Sequence, residues 1–113
     1  MRLGTDYISQ CRENFFLGIT PSCDSCQTQE GYVKLDRIAA QLMADIGALE
    51  FSGYFQESQY LVDLWTAHMI LKHADVNLEL KNKCLSIIKD YSTTPLSETV
   101  AKEESLWLAK KLI

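Results

Sequence analysis

The sequence predicts an all-α protein, a compact bundle of about five amphipathic helices packed mostly antiparallel. Three observations predict it. From Leu35 to Ile113 apolar residues recur at intervals of three and four, the period of a helix that buries one face. Only 5 Gly and 2 Pro interrupt a chain of 113 residues that is 47% hydrophobic, which is enough apolar material for a core without disulfides or metal. The breaks after the second periodic stretch are short, and short connections favour antiparallel neighbours. At this length one domain spanning residues 1–113 is expected.

Thr5 and Asp6 can cap a first helix that carries Leu3, Tyr7, Ile8, Cys11, Phe15 and Phe16 on or near one stripe. Gly18 supplies its C-terminal stop, with Pro21 three residues later. Residues 18–31 have almost no periodicity and read as a loop. A second helix is expected from about Tyr32 to about Leu49, with Leu35, Ile38, Leu42, Ile46 and Leu49 facing inward and Gly47 as a place for a bend or early stop. Ser52-Gly53 breaks the pattern.

A third helix is expected over about Gln56 to His73, burying Leu61, Leu64, Trp65, His68 or Met69, and Leu71. Asp75 or Asn77 caps a fourth, in which Leu78, Cys84, Leu85, Ile88 and Tyr91 point inward. Thr94-Pro95 is a start signal for the fifth, with Thr as N-cap and Pro at the first helical position, where its missing N–H costs nothing. Leu96, Val100, Ala101, Trp107, Leu108 and Leu112 follow on that helix. Lys110 and Lys111 in its last turn suit the negative end of the helix dipole.

With 11 basic and 15 acidic residues the formal charge is −4, which argues against general binding to nucleic-acid phosphates or to an anionic membrane. The N-terminal Met-Arg-Leu-Gly-Thr-Asp has no apolar signal core. No run approaches the roughly 18 uninterrupted apolar residues of a membrane span. A cytoplasmic protein is therefore expected, with Cys11, Cys23, Cys26 and Cys84 mostly reduced. No cofactor motif is present.

Cys23-Asp24-Ser25-Cys26 is the one short motif with known chemistry. Redox catalysis needs a lowered thiol pKa, from a helix N-terminus or nearby cations. Here Asp24 lies between the thiols, and the nearest Lys or Arg in sequence is eleven residues from Cys23. A structural zinc site needs four ligands. His68 and His73 are five apart, which on a continuous helix leaves their imidazoles about 140° apart. Loop cysteines without chemistry, with Cys84 in the core, are the simpler assignment. In an exported protein a disulfide between Cys11 and this loop would be favoured.

Neither histidine has a Ser or Cys beside it in sequence to make a nucleophile–base pair. Adjacent Glu103 and Glu104 point about 100° apart on a helix, so they do not converge on one reacting atom. No catalytic residue is assigned.

The stretch from Glu50 to Asp63 is different. Phe51, Tyr54, Phe55 and Tyr60, four of the eleven aromatic residues, surround Ser52-Gly53, with Glu50, Glu57 and Asp63 among them. Over residues 24–63 seven acidic side chains stand against Lys34 and Arg37, a net −5, while the remainder of the chain carries +1. Acidic charge steers a basic protein and aromatic anchors hold it. The plainer alternative is that these rings finish the core and the acids are solvated.

The leading expectation is a non-enzymatic protein-binding module, an inhibitor or immunity-type protein that takes a basic partner through Glu50, Phe51, Tyr54, Phe55, Glu57, Tyr60 and Asp63. In type, though not in motif, a small, acidic, helical chain without a catalytic set resembles nuclease-toxin immunity proteins. The alternative is a zinc- or thiol-dependent regulatory domain built on Cys23 and Cys26. A third class is a ligand carrier or enzyme with its site inside the bundle, where His68, Trp65 and Glu104 would meet. Homo-oligomerisation is compatible with each.

Overall fold

Among the described residues six α-helices form in chain order: α1 Arg2–Leu17, α2 Glu30–Ile46, α3 Ala48–Phe51, α4 Val62–His73, α5 Leu78–Ser92 and α6 Glu98–Lys111. The computed structural model describes residues 2–111, without the side chains of Arg2 and Leu3. There is no strand among the described residues, so the fold is all-α, with one helix more than expected. Leu112 and the side chain of Leu3, both expected on inward stripes, lie outside the described part. No described helix is long and apolar enough to cross a membrane.

α1 ends as its sequence predicts. Gly18 takes a φ of 75°, its N–H donates to Phe15 O, and the Ile19 N–H donates to Asn14 O at 2.9 Å. This is a Schellman stop, in which a left-handed residue satisfies the last free carbonyls and a following apolar residue, here Ile19, turns inward. The inward stripe of α1 is Tyr7, Gln10, Cys11 and Asn14. Phe15 and Phe16, expected on or near it, face outward. Asn14 supplies the tie instead: it accepts from Gln10 Nε2 at 2.9 Å and donates to Gly31 O at 3.1 Å, joining α1 to the first turn of α2. The approach is close enough that a Cβ on Gly31 would sit 2.4 Å from Asn14 Oδ1.

α2 stops at Gly47, which adopts φ 86°, ψ 156°, a region that only glycine enters at low cost. The chain leaves at a new angle into the four residues of α3. Ile46 and Leu49, expected inward, are therefore turned out, Leu49 being 76% exposed, and Phe51 enters the core in their place. The expected third helix loses its start in the same way. Residues Ser52–Gln56 and Gln59–Leu61 form 3-10 turns. Tyr60 and Leu61 have φ of 55° and 60°, two successive left-handed residues that cannot lie in a right-handed helix. α4 begins only at Val62.

From Val62 to Ile70 every residue of α4 except Asp63 is buried. A helix apolar all round belongs in the centre, and α1, α2, α5 and the turn Ser52–Gln56 pack about it. Its one buried hydroxyl is satisfied: Thr66 Oγ1 donates to Val62 O at 2.8 Å and so accepts from the Tyr7 hydroxyl, also at 2.8 Å.

Of the two expected caps, Asp75 and Asn77, it is Asn77 that caps α5, its side chain accepting from Leu80 N at 2.9 Å. Leu80, Cys84 and Ile88 make the buried stripe; Leu78, in the first turn, points to solvent. α6 begins three residues later than its Thr-Pro signal, with Ser97 Oγ accepting from Val100 N at 3.2 Å. Leu96, expected on that helix, precedes it and is exposed.

Candidate functional site

The seven residues of the acidic, aromatic bend separate into three environments. Phe51 is core: it is fully buried, with its ring centroid 5.1 Å from that of Tyr7 and 5.5 Å from that of Tyr54. It has no surface left with which to anchor a partner. Tyr54 and Phe55 are half-buried and pack against that core. Burial raises the Tyr54 phenol above its ordinary pKa. Glu50 is exposed.

Glu57 accepts from Gln59 N at 3.2 Å, and its backbone carbonyl accepts from Asp63 N at 3.0 Å, which closes the turn. Asp63 is half-buried at the start of α4 and accepts from the Tyr91 hydroxyl at 2.8 Å and from Leu64 N at 2.9 Å. Loss of solvent, helped by the negative Glu57, holds its carboxyl above the usual range, although both hydrogen bonds pull the other way. Between the unfolded pKa of about 3.9 and this raised folded value the native state binds more protons. The Asp63 contribution is therefore fully present below the unfolded value and is lost as pH rises through the folded one. In Asp63→Asn the amide oxygen still accepts from Tyr91, so the variant should gain on the native protein between pH 4 and pH 7. Urea unfolding of both at the two pH values checks this; an equal difference at each would refute it.

Tyr60 stands apart from the other rings of the bend. Its ring centroid lies 5.6 Å from Phe15 and 5.9 Å from Phe16, with the Arg12 guanidinium 5.8 Å above it. Phe15, Phe16 and Leu17 are 47%, 68% and 62% exposed, so the left-handed turn at Tyr60–Leu61 and the last turn of α1 build one open apolar face. The sequence puts Phe15 and Phe16 on or near the stripe of α1 that faces the core. A signal was nonetheless present: three consecutive apolar residues on a helix advance about 100° each, so they cannot all turn inward.

A second cluster forms where α4 and α6 meet the loop between α1 and α2. Glu104, fully buried, places Oε1 2.6 Å from His68 Nε2, and Ser22 Oγ lies 3.1 Å from the same nitrogen. The imidazole meets Trp107 edge-on at 4.7 Å between centroids. A serine nucleophile relay needs the acid on one ring nitrogen and the serine on the other. Here both compete for Nε2, so Ser22 is held rather than activated. Trp65 does not join the pair; among the described residues its Nε1 and Glu104 Oε2 are buried without a hydrogen-bond partner.

Glu103 turns away from Glu104 and accepts from Thr20 at 2.6 Å. His73 leaves the cluster too, pairing with Asp36 at 2.5 Å. Among the described residues no group of three or more His, Cys, Asp or Glu side chains could hold a metal ion.

Cys23 and Cys26 form a disulfide across the 3-10 turn Asp24–Cys26, with Cα atoms 5.3 Å apart. The expectation of reduced loop cysteines is thereby corrected, as is the pairing of Cys11 with the loop. Cys11 and Cys84 are buried free thiols, and burial pushes them up to about 12 and about 11. A thiol reacts as its thiolate, so neither should be labelled by Ellman's reagent at pH 8 in the native protein. In denaturant without reductant two thiols should titrate, and four after reduction. Four before reduction would refute the disulfide. The fold also brings cations that the sequence kept distant, with Lys110 Nζ 3.4 Å from Asp24.

Compared with protein-family models, with curated proteins and with solved structures, the chain has no match in any of the three.

Proposed function

We propose that the chain is a non-enzymatic protein-binding module that captures a basic partner protein through the face made by Phe15, Phe16, Leu17 and Tyr60, in the manner of an inhibitor or immunity-type protein. The observation that carries this reading is the exposure of three consecutive large apolar side chains beside a half-buried tyrosine. Contiguous apolar surface of this kind is rare on a monomer and marks interaction sites. The adjoining turn holds two non-glycine residues in left-handed backbone, and strain of this kind gathers where a surface is shaped for binding. Glu13 lies in the turn before Phe16 and Leu17, and Glu57 and Asp63 flank Tyr60 in the chain, while Arg12 is laid over the Tyr60 ring. Acidic charge beside aromatic anchors favours a basic partner and speeds its encounter.

A photo-crosslinking amino acid at position 16, in the cell that makes the protein, tests the reading. The expected product joins the chain to a strongly basic protein, and its yield falls in high salt and with Tyr60→Asp. A product containing only a second copy of this chain, or a yield indifferent to salt and to Tyr60→Asp, would overturn it.

One observation favours part of the alternative. The disulfide joins a half-exposed Cys23 to a buried Cys26 beside the His68 cluster, an arrangement open to thiol exchange, whereas the zinc form lacks further ligands among the described residues. Partner binding unchanged both by Cys23→Ser and by dithiothreitol in the native protein would exclude this route.

A further inference from the structure

The protein has a net charge of −4, yet one cleft among the described residues is lined by lysines. About 760 Å³ opens between α4, α5, the C-terminal end of α6 and the loop that carries the disulfide, well within the 300–1,000 Å³ usual for small-molecule sites. Its apolar lining includes Met69, Leu71 and Leu85, with Tyr32 and Trp107 as aromatic walls. Lys72, Lys81 and Lys111 also line it. The Lys72 ammonium lies 5.1 Å over Tyr32 and that of Lys111 5.8 Å over Trp107.

The acids nearby are already engaged. Asp24, the one carboxylate lining the cleft, is held by Lys110 at 3.4 Å, and Asp36 pairs with Lys72 at 3.3 Å and with His73. Among the described residues Lys81 and Lys111 have no carboxylate within 4 Å. The neutral polar groups, Ser22, Gln27 and Asn82, can orient a ligand but bring no charge of their own.

We infer that this cleft binds a small organic anion with a flat or ring-sized apolar body. The body lies between Tyr32 and Trp107 on Met69 and Leu85, where it removes apolar surface from water. The anionic end meets the ammonium groups of Lys81 and Lys111, which stand on different helices and so bracket a ligand rather than each other. A cation is disfavoured by those same groups, and an inorganic anion would leave the apolar walls wet. The site is independent of the aromatic face at Phe16.

Two fluorescent probes of nearly the same body test this on the full chain: 8-anilinonaphthalene-1-sulfonate and its neutral counterpart N-phenyl-1-naphthylamine. The expected result is one saturable site that prefers the sulfonate by about tenfold at low salt, a difference of about 1.4 kcal/mol. Lys81→Gln with Lys111→Gln, both at exposed positions, should remove most of that preference. Phe16→Asp should leave it unchanged. 1-Naphthoate should displace the probe and inorganic phosphate should not. A preference that survives loss of both lysines, sulfonate binding abolished by Phe16→Asp, displacement by phosphate, or no saturable binding would each overturn the assignment.

Discussion

His68→Ala should destabilise the protein by about 3–5 kcal/mol, the cost of breaking a buried acid–base pair by removing one partner. Glu104 is fully buried and its Oε2 already lacks a hydrogen bond, so removing the imidazole strands the whole carboxyl group. The reverse change is milder. In Glu104→Ala the imidazole retains Ser22 at 3.1 Å and the edge of Trp107, and the loss should stay within about 1–3 kcal/mol. The double variant His68→Ala, Glu104→Ala should be more stable than His68→Ala alone, because the stranded group is gone. Guanidinium unfolding of the three variants measures this asymmetry. Equal losses in the two single variants, or a double variant at the sum of both, would show that the contact acts only as packing.

Phe51→Ala should cost about 3–5 kcal/mol, as for other large aromatic side chains truncated in a packed core. Against a total of about 5–15 kcal/mol for an ordinary domain this is enough to populate unfolded chains on mild warming. Phe16→Asp, at a side chain 68% exposed, should change stability by no more than about 0.5 kcal/mol while weakening partner capture. The pair of variants separates a ring of the bend that builds the core from a ring of α1 that faces solvent. A Phe51→Ala protein of native stability would return that ring to the surface. A strongly destabilised Phe16→Asp would move Phe16 into the core.

Signals that act over a few residues were legible in the sequence. The Gly18 stop and the Asn77 cap depend on hydrogen bonds within a few residues, and both form where the sequence places them. Thr94-Pro95 shows the limit of such signals: Thr94 Oγ1 accepts from Leu96 N, but the helix begins after Ser97, because the first apolar side chain it can bury is Val100 and not Leu96. Of the candidate face, Tyr60 was legible as an aromatic beside acids. Phe15 and Phe16 were not, since a helical stripe drawn from sequence includes residues at its edge that the packed helix turns to water.

The sequence by itself determined that this chain is helical, and where two of its helices are punctuated, because hydrophobic period and capping are summed over neighbouring residues. Only the tertiary structure decided which of several apolar residues went inside. Gly47 and the left-handed pair Tyr60–Leu61 redirected the chain, so that Phe51 replaced Leu49 in the core and α4 lost its expected first turns. The same assembly joined His68 to Glu104 across 36 residues, and the Cys23–Cys26 loop to the end of α6. Such contacts depend on what lies opposite a side chain, and a linear pattern does not contain that.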